Sequence, residues 1–403
     1  PLAEVDGQVV AKEWNGAWSD GSAKWNNRLR QMLAYSNDDS DGTFWMEYKD
    51  LCRHFNKVYM CRMLDDLWTR ITVKSRWMDE TAGGCTNYIS WRNNNQWLIT
   101  VTRPNTKIIM KLSQPDARKS SGNGRHYSNA IGFYILKGNE PNAQNDHKRR
   151  KLVCKDGDAD DEENPGDFVF CKEPRFSKQV VTEYTFEKAS TTPYVIVPFI
   201  FEPGREQLFK FTILSDDRDD DGEPDFFFQE VRPSEDWKRT TILDAFHRGG
   251  KGNPLKKYNL EFQGDKGTSG GDPLDPACLK TWTKNSQFQL TLFGETRVFV
   301  FLEARNVKTD MRDVEGLQTE PDYPTMGFHV CKGKGYHQLL GQEEGTTPEV
   351  LFTAPAKFGD GVYLELGTLA PLSDKYVIIP FADEPGVEYE WCLTLYTDID
   401  VDC

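Results

Sequence analysis

One set of motifs occurs twice along the chain in the same order, and this repeat most constrains what the sequence can fold into. Tyr194-Val-Ile-Val-Pro-Phe199, followed by Glu202-Pro-Gly204, returns as Tyr376-Val-Ile-Ile-Pro-Phe381, followed by Glu384-Pro-Gly386. Three further pairs precede them in matching order: Thr81-Ala-Gly-Gly84 with Thr268-Ser-Gly-Gly271, Asn94-Asn-Gln-Trp97 with Asn285-Ser-Gln-Phe288, and Gly132-Phe133 with Gly327-Phe328. Two homologous domains in tandem are the simplest explanation.

Both copies show the side-chain alternation of β-strands. Trp97, Ile99 and Val101 alternate with polar or smaller residues, and short segments of this kind are separated by Gly, Pro and Asn turns. The predicted fold class is mainly β, with two tandem antiparallel β-sandwiches. We assign them to residues 76–215 and 254–403, joined by an acidic linker at 216–253.

The first 75 residues differ from the rest. Trp25, Leu29 and Met32 recur at helical spacing after Ser19 and Ser22, two candidate N-caps, and a second helical stripe contains Phe44, Tyr48, Leu51 and Phe55. Residues 1–75 are therefore predicted to form a small α+β domain. Four tryptophans here, Trp14, Trp18, Trp25 and Trp45, are interpreted as core or cleft-wall residues.

Composition excludes several classes of function. The chain has 63 acidic and 49 basic residues, and an excess of negative charge disfavours nucleic acid as a partner. The longest apolar run, residues 194–201, is far shorter than the roughly 20 residues that span a bilayer. The nine Cys have no framework spacing, which predicts reduced thiols and a cytoplasmic location. No secretory leader follows Pro1, so we expect a piece of a longer chain.

The first half of the chain contains a series of ordered motifs: Glu13-Trp-Asn-Gly-Ala-Trp-Ser-Asp20, Trp25-Asn-Asn27, Asp41-Gly-Thr-Phe-Trp-Met46, Leu51-Cys-Arg-His-Phe55 and Thr81-Ala-Gly-Gly-Cys85 with Asn87-Tyr88. In order and spacing, these motifs resemble the calpain cysteine proteases, from the end of the catalytic core into the β-sandwich behind it. The resemblance covers roughly residues 7–215 and is weaker in the second copy. The resemblance implies that residues 1–75 belong to a papain-like protease core and that the sandwiches are C2-like.

For catalysis, the resemblance implies that the Cys, His and Asn of the family lie upstream of this chain. The Asn belongs to an Asn-Pro-Trp motif that would end near Pro1-Leu2. Cys52 and His54 are close in sequence, as a thiolate pair would be, but they lie in a structural segment of the family. We therefore predict no catalytic residue in residues 1–403.

The resemblance also implies a calcium site in the protease core. Its ligands would be Glu13, Asp20 and Asp41, with the Asp39 carbonyl as a backbone ligand. Thr43 stands where the family has Glu, which leaves the site one carboxylate short of the set that Ca²⁺ prefers. The alternative is that these acids are solvated and cap turns beside Trp14 and Trp45.

A second candidate calcium loop follows the first sandwich. Asp217, Asp219 and Asp221 alternate before Gly222, with Asp225 beyond, as in the first half of an EF-hand loop. Phe228 stands at the twelfth position, where a bidentate Glu is needed, so only weak binding of Ca²⁺ is predicted. The alternative is a solvated acidic loop.

Charge is segregated in one further stretch. His147-Lys-Arg-Arg-Lys151 is followed closely by Asp156-Gly-Asp-Ala-Asp-Asp-Glu-Glu163. This pattern fits a disordered, self-compensating loop, or an electrostatic latch of the kind that the resemblance implies for calpain sandwiches.

The predicted function is the regulatory and structural C-terminal portion of a calpain-like intracellular cysteine endopeptidase. Its expected partners are the upstream catalytic core, the substrates of the parent protease and anionic lipid. The alternative is a non-catalytic scaffold that docks lipid or protein partners.

Overall fold

The chain forms two compact units, Pro1–Asp65 and Asp66–Cys403. The computed structural model describes residues 2–5, 8–11, 14–35, 43–57, 68–116, 127–140, 146–216, 221–250, 267–305, 323–335, 339–341 and 345–403. No helix within these ranges is long and apolar enough to cross a membrane.

The first unit is small and mixed, as expected. It contains the antiparallel hairpin of β1 (Leu2–Val5) and β2 (Gln8–Ala11), and the helices α1 (Asn27–Met32) and α2 (Tyr48–His54). The predicted N-caps were wrong, because the Asn26 side chain accepts a hydrogen bond from the Leu29 amide and caps α1.

Three of the four tryptophans of the first unit, Trp18, Trp25 and Trp45, pack together, as the core interpretation requires. Trp25 is buried and contacts Trp18 edge-on at 5.1 Å, Tyr35 in a stack at 4.2 Å and Trp45 edge-on at 5.9 Å between ring centroids. Aromatic contacts of this kind anchor a core.

The second unit contains two β-sandwiches, which confirms the predicted fold class. The strands of sandwich 1 are β3 (Trp68–Trp77), β4 (Trp97–Val101), β5 (Thr106–Ser113), β6 (Ile131–Leu136), β7 (Phe168–Arg175), β8 (Gln179–Phe186), β9 (Tyr194–Ile200), β10 (Gln207–Asp216) and β11 (Phe226–Glu230). Those of sandwich 2 are β12 (Lys238–Phe246), β13 (Phe288–Leu292), β14 (Thr296–Ala304), β15 (Thr325–Lys332), β16 (Val350–Phe358), β17 (Gly361–Leu369), β18 (Tyr376–Ala382), β19 (Tyr389–Thr397) and β20 (Val401–Asp402).

The two sandwiches have the same topology. Each has a four-stranded sheet, ordered β3-β10-β5-β8 in sandwich 1 and β12-β19-β14-β17 in sandwich 2. Each also has a five-stranded sheet, ordered β11-β4-β9-β6-β7 and β16-β15-β18-β13-β20. If the five-stranded sheet of sandwich 2 is read in reverse, from β20 to β16, each of its strands takes the position of its counterpart in the five-stranded sheet of sandwich 1. The repeat in sequence is therefore also a repeat in structure.

The repeated motifs build the same turn in both copies. The Asn94 side chain accepts a hydrogen bond from the Gly83 amide at 3.0 Å and donates one to the Gly84 carbonyl at 2.7 Å. Asn285 makes the equivalent bonds to Gly270 and Gly271, at 2.7 and 2.8 Å. A Cβ on Gly83 would lie 2.2 Å from the backbone oxygen of Ser90, so glycine is needed here for the close approach of the two backbone segments.

Two strands lie inside the stretch predicted as a linker, residues 216–253. β11 pairs with β4 and completes sandwich 1, whereas β12 pairs with β19 along nine positions and forms an edge of sandwich 2. Sandwich 1 also begins earlier than expected, since β3 starts at Trp68. The acidic, Pro- and Gly-rich composition of this stretch predicted a linker. The sequence did not reveal β11 and β12, because their pairing partners are distant in sequence.

Candidate functional site

The structure describes three of the eight predicted calcium ligands. Glu13, Asp39, Asp41, Asp217 and Asp219 lie outside the described residues. Asp20 lies in a turn of the first unit and is partly exposed. The described residues include no group of three or more His, Cys, Asp or Glu side chains arranged to hold a metal ion. Both calcium sites stay predictions.

The described end of the second candidate loop already holds a cation, the guanidinium of Arg103. Its Nη2 lies 2.7 Å from a carboxylate oxygen of Asp221, and its Nε lies 2.9 Å from one of Asp225. Asp225 is only 2% exposed, whereas the Arg103 side chain is about half exposed. A buried carboxylate requires a positive partner, and here that partner is an arginine. A divalent ion bound by Asp221 and Asp225 would compete with it.

The cysteines that the structure describes are free thiols and form no disulfide bonds. Cys85, Cys278, Cys331 and Cys392 are buried, while Cys52 and Cys171 are exposed. Burial raises the pKa of the Cys331 thiol to about 12, so this sulfur is a poor nucleophile at neutral pH.

His54 packs against an aromatic ring in the first unit. Its ring lies 5.4 Å from that of Trp14 in an edge-on contact. Cys52 lies on the same short helix and is exposed.

The basic run at residues 147–151 is not a loose loop, and the electrostatic latch stays a prediction. Arg150 pairs with Asp236 at 2.6 Å and Lys151 with Asp167 at 3.1 Å. Arg149 lies 3.3 Å from Asp146, which is fully buried. These cations are fixed at the contact between the two sandwiches, whereas most of the acidic run at residues 156–163 is exposed.

A fully buried arginine forms the centre of that contact. Arg92, in the 3-10 helix Ile89–Asn93 of sandwich 1, pairs with Glu303 on β14 of sandwich 2 at 2.6 Å. Its guanidinium carbon lies 3.8 Å from the ring centroid of Phe301, a cation–π contact. Burial opposes its charge, but Glu303 and Tyr396 together raise the pKa of Arg92.

Hydrogen bonds on both sides of Arg92 extend the junction. The Ile89 amide donates to a carboxylate oxygen of Asp360 at 2.6 Å, and the Tyr396 hydroxyl donates to Asn93 at 2.9 Å. Burial raises the pKa of Asp360, which lies near Glu303. Each of these bonds joins a loop of sandwich 1 to sandwich 2.

A second part of the junction is apolar and is closed by an ion pair. Leu152 packs with Trp237, Phe299, Phe301 and Tyr396 in one cluster. Beside this cluster, Arg297 of β14 forms an ion pair with the buried Asp146. We call this whole contact the inter-sandwich junction: residues 89–93 and 146–153 against the outer face of the sheet β12-β19-β14-β17.

Two clefts flank the junction and share Ile89 and Asp360 as lining residues. One has a volume of about 380 Å³ and includes Cys154, Lys357 and Tyr363. The other has a volume of about 660 Å³ and contains charged groups of both signs, including Glu80, Arg239 and Glu303.

Sequence reasoning missed the junction. Arg92, Asp146 and Glu303 lie in no recognisable motif, and a single charged residue in sequence carries no sign of burial. The only available signal was the pattern Phe299, Phe301 and Glu303 on one face of β14, where large aromatic side chains project outward from a sandwich.

Two consecutive parts of the chain match descriptions of known families. Residues 8–62 match "Calpain family cysteine protease", and residues 73–214, which run from within β3 to within β10, match "Calpain large subunit, domain III". The chain belongs to the calpain-like cysteine protease family.

Calpain-type relatives match over about half of the chain. "Calpain-type cysteine protease ADL1" of Oryza sativa subsp. japonica is 29% identical over 235 residues, which cover 53% of this chain and 10% of the relative. "Calpain-5" of Mus musculus is 25% identical over 222 residues, which cover 51% of this chain and 32% of the relative.

A relative with a different kind of name matches over most of the chain. "Serine/threonine-protein kinase 4 homolog B" of Dictyostelium discoideum is 23% identical over 363 residues, which cover 90% of this chain and 26% of the relative. This chain spans no more than about a third of the length of any of these three relatives.

Proposed function

We propose that this chain is the regulatory and structural C-terminal portion of a calpain-like intracellular cysteine endopeptidase whose catalytic Cys, His and Asn lie upstream. The order of the two family matches supports this proposal, because a protease-core segment is followed directly by a domain III segment. The two sandwiches act as one brace, since the ion pair of the fully buried Arg92 with Glu303 at the junction resists independent motion.

The proposal includes weak regulation by Ca²⁺. Asp221 and Asp225 support it as oxygen donors, but their pairing with Arg103 means that Ca²⁺ must displace a guanidinium. Affinity should therefore lie in the range of about 10⁻⁴ to 10⁻³ M that is typical of weak sites.

Two activity measurements test the proposal. Residues 1–403 alone should not hydrolyse casein with or without Ca²⁺, and Cys52→Ala is the control for hydrolysis by this chain. In the longer polypeptide, Arg92→Met should change the Ca²⁺ concentration that gives half-maximal hydrolysis, because it loosens the brace. Hydrolysis by residues 1–403 that Cys52→Ala abolishes would refute the proposal.

A non-catalytic scaffold that docks lipid or protein partners is the second candidate function. The match of the relative with a kinase name over 90% of this chain favours it, because the relative's printed name is not that of a protease. No hydrolysis by the longer polypeptide under any Ca²⁺ concentration, with retained partner binding, would favour the scaffold.

A further inference from the structure

The outer face of the sheet β3-β10-β5-β8 in sandwich 1 is basic, although the chain as a whole has a net charge of −14. Alternation along the strands and the pairing register bring six cations to this face, together with two carboxylate positions near its edge and end, Glu183 on β8 and Asp216 at the end of β10. We call this surface the basic face: Arg70, Lys74, Arg76, Lys107, Lys111 and Lys210.

Two of these cations lie directly opposite each other. Lys74 of β3 pairs in register with Lys210 of β10, with Thr212 and Lys111 at the next position on the same face. Like charges at opposed positions of an antiparallel pair destabilise a sheet. A sequence that keeps such a conflict usually does so at a functional surface.

Carboxylates of the described residues do not neutralise the centre of the basic face. The ion pairs there involve its periphery, with Arg76 3.6 Å from Glu206 and Lys107 2.6 Å from Glu183. Within the described part of the chain, Lys74, Lys111 and Lys210 form no ion pair with a carboxylate.

A groove with an apolar floor crosses the basic face. It has a volume of about 570 Å³, and Leu208, Phe209 and Pro115 lie among its lining residues with Lys74 and Lys210. Leu208 is 59% exposed, which is unusual for a large apolar side chain in the middle of a sheet. A ligand that combines carboxylates with an apolar group would complement both features.

The internal repeat shows what this face of the fold can bind. The equivalent sheet of sandwich 2, β12-β19-β14-β17, has its outer face covered by loops of sandwich 1 at the inter-sandwich junction. Lys111 on β5 lies opposite Thr212 on β10, and Phe301 on β14 lies opposite Thr394 on β19. The two threonines are equivalent in the repeat, because Thr212 follows Tyr194 of the first Tyr-Val-Ile motif by as many residues as Thr394 follows Tyr376 of the second. Lys111 thus occupies the position that the junction residue Phe301 occupies in sandwich 2.

We propose that the basic face of sandwich 1 docks an acidic segment of a partner protein, with carboxylates over Lys74, Lys111 and Lys210 and an apolar side chain on Leu208. A protein segment is favoured over a membrane because the equivalent face of sandwich 2 binds polypeptide loops. The proposal goes beyond the proposed function, since this surface serves a protease regulator and a scaffold equally.

Binding of a fluorescein-labelled oligoglutamate peptide with one central leucine tests the proposal by fluorescence anisotropy on residues 1–403. Lys210→Glu should weaken binding by about tenfold, because it converts an attraction into a repulsion. Leu208→Ser should also weaken binding, without a change in charge. The control Lys188→Glu/Lys280→Glu reverses two exposed lysines elsewhere and should leave affinity nearly unchanged.

Lys74→Glu separates binding from folding. It places a carboxylate opposite Lys210, so thermal stability should rise while peptide affinity falls. Equal affinity in the basic-face variants and the control would overturn the proposal. It would also be overturned if the wild type ignored the peptide but bound phosphatidylcholine vesicles containing phosphatidylserine in a Lys210-dependent manner, since the occupant would then be a membrane.

Discussion

The Nε of Arg103 lies 2.9 Å from the carboxylate of Asp225, a residue that is almost completely buried. Arg103 follows β4 and Asp225 precedes β11, and these two strands pair. The ion pair therefore ties the loop with alternating aspartates to the adjacent end of β4.

We expect Arg103→Met to make sandwich 1 more sensitive to Ca²⁺. Without the guanidinium, Asp221 and Asp225 repel each other, so the variant should lose about 1–3 kcal/mol of stability, and millimolar Ca²⁺ should restore part of it. Thermal unfolding with and without Ca²⁺ measures both effects. Arg76→Met removes an arginine of similar exposure and is the control. Equal responses to Ca²⁺ in the two variants would refute this prediction.

Asp217→Asn/Asp219→Asn and Glu13→Gln/Asp20→Asn distinguish the two predicted calcium sites. Each double variant removes two carboxylates from one candidate site. In calorimetric titration, the heat of Ca²⁺ binding should therefore disappear only in the variant whose altered site binds Ca²⁺. Mg²⁺ should substitute poorly, because it requires a compact octahedron of oxygens. Absence of heat and of any shift in Tm at millimolar Ca²⁺ in the wild type would mean that both acidic clusters are solvated.

Arg92→Met should uncouple the two sandwiches. Removing one partner of a buried ion pair leaves Glu303 without compensation, and the expected cost is about 3–5 kcal/mol. In scanning calorimetry, the transition of the Asp66–Cys403 unit should broaden or split into two. Arg175→Met, at an exposed arginine on β7, should leave the profile unchanged. An unchanged profile for Arg92→Met would show that the junction does not couple the sandwiches.

Asp244→Asn should stabilise sandwich 2 at neutral pH and have little effect in acid. Burial raises the pKa of Asp244 from 3.8 to about 6, so the folded state binds the proton more tightly than the unfolded state. Wild-type stability is therefore lost as pH rises through about 6, and the advantage of Asn should grow from near zero at about pH 4 to about 2–3 kcal/mol at about pH 7.5.

Denaturant unfolding at several pH values measures that difference. Asp244 accepts hydrogen bonds from the Ser286 hydroxyl and the Ala245 amide; the Asn oxygen can accept the bond from Ala245, and the Asn NH₂ can donate to the Ser286 hydroxyl. Asp400→Asn changes an exposed carboxylate and should give a pH-independent result. A constant difference across the pH range for Asp244→Asn would contradict the prediction.

Residues 232–403 should fold more stably than residues 254–403, the limits first assigned to sandwich 2. The shorter fragment lacks β12, which pairs with β19 and places Phe246 against Trp391 in the core. Thermal denaturation followed by circular dichroism should show a cooperative transition for the longer fragment and a lower Tm, or none, for the shorter one. Equal Tm values would mean that β12 is dispensable.

Sequence sufficed for features that rest on local patterns. The repeat, the strand alternation and the Gly-Gly turns held by Asn94 and Asn285 were all accessible, because each depends on residues close together in the chain. The family assignment also followed from ordered motifs.

Sequence failed where a residue's role depends on a distant partner. Arg92 and Glu303 are 211 positions apart, and Arg103 and Asp221 are 118 apart. Nothing near Arg103 in sequence indicates that it neutralises the acidic loop. The same limit prevented the recognition of β12, which pairs with the distant strand β19.

The inter-sandwich junction joins unlike surfaces, loops of one copy and a sheet face of the next, and a head-to-tail contact of this kind could in principle continue into an endless filament. To extend such a filament at sandwich 1, the equivalent loops of another copy of the chain would have to bind the basic face. Those loops carry Arg92, Arg149 and Arg150, and the basic face presents Lys74 and Lys210. Both surfaces carry positive charge, which disfavours a second junction of the same kind on sandwich 1.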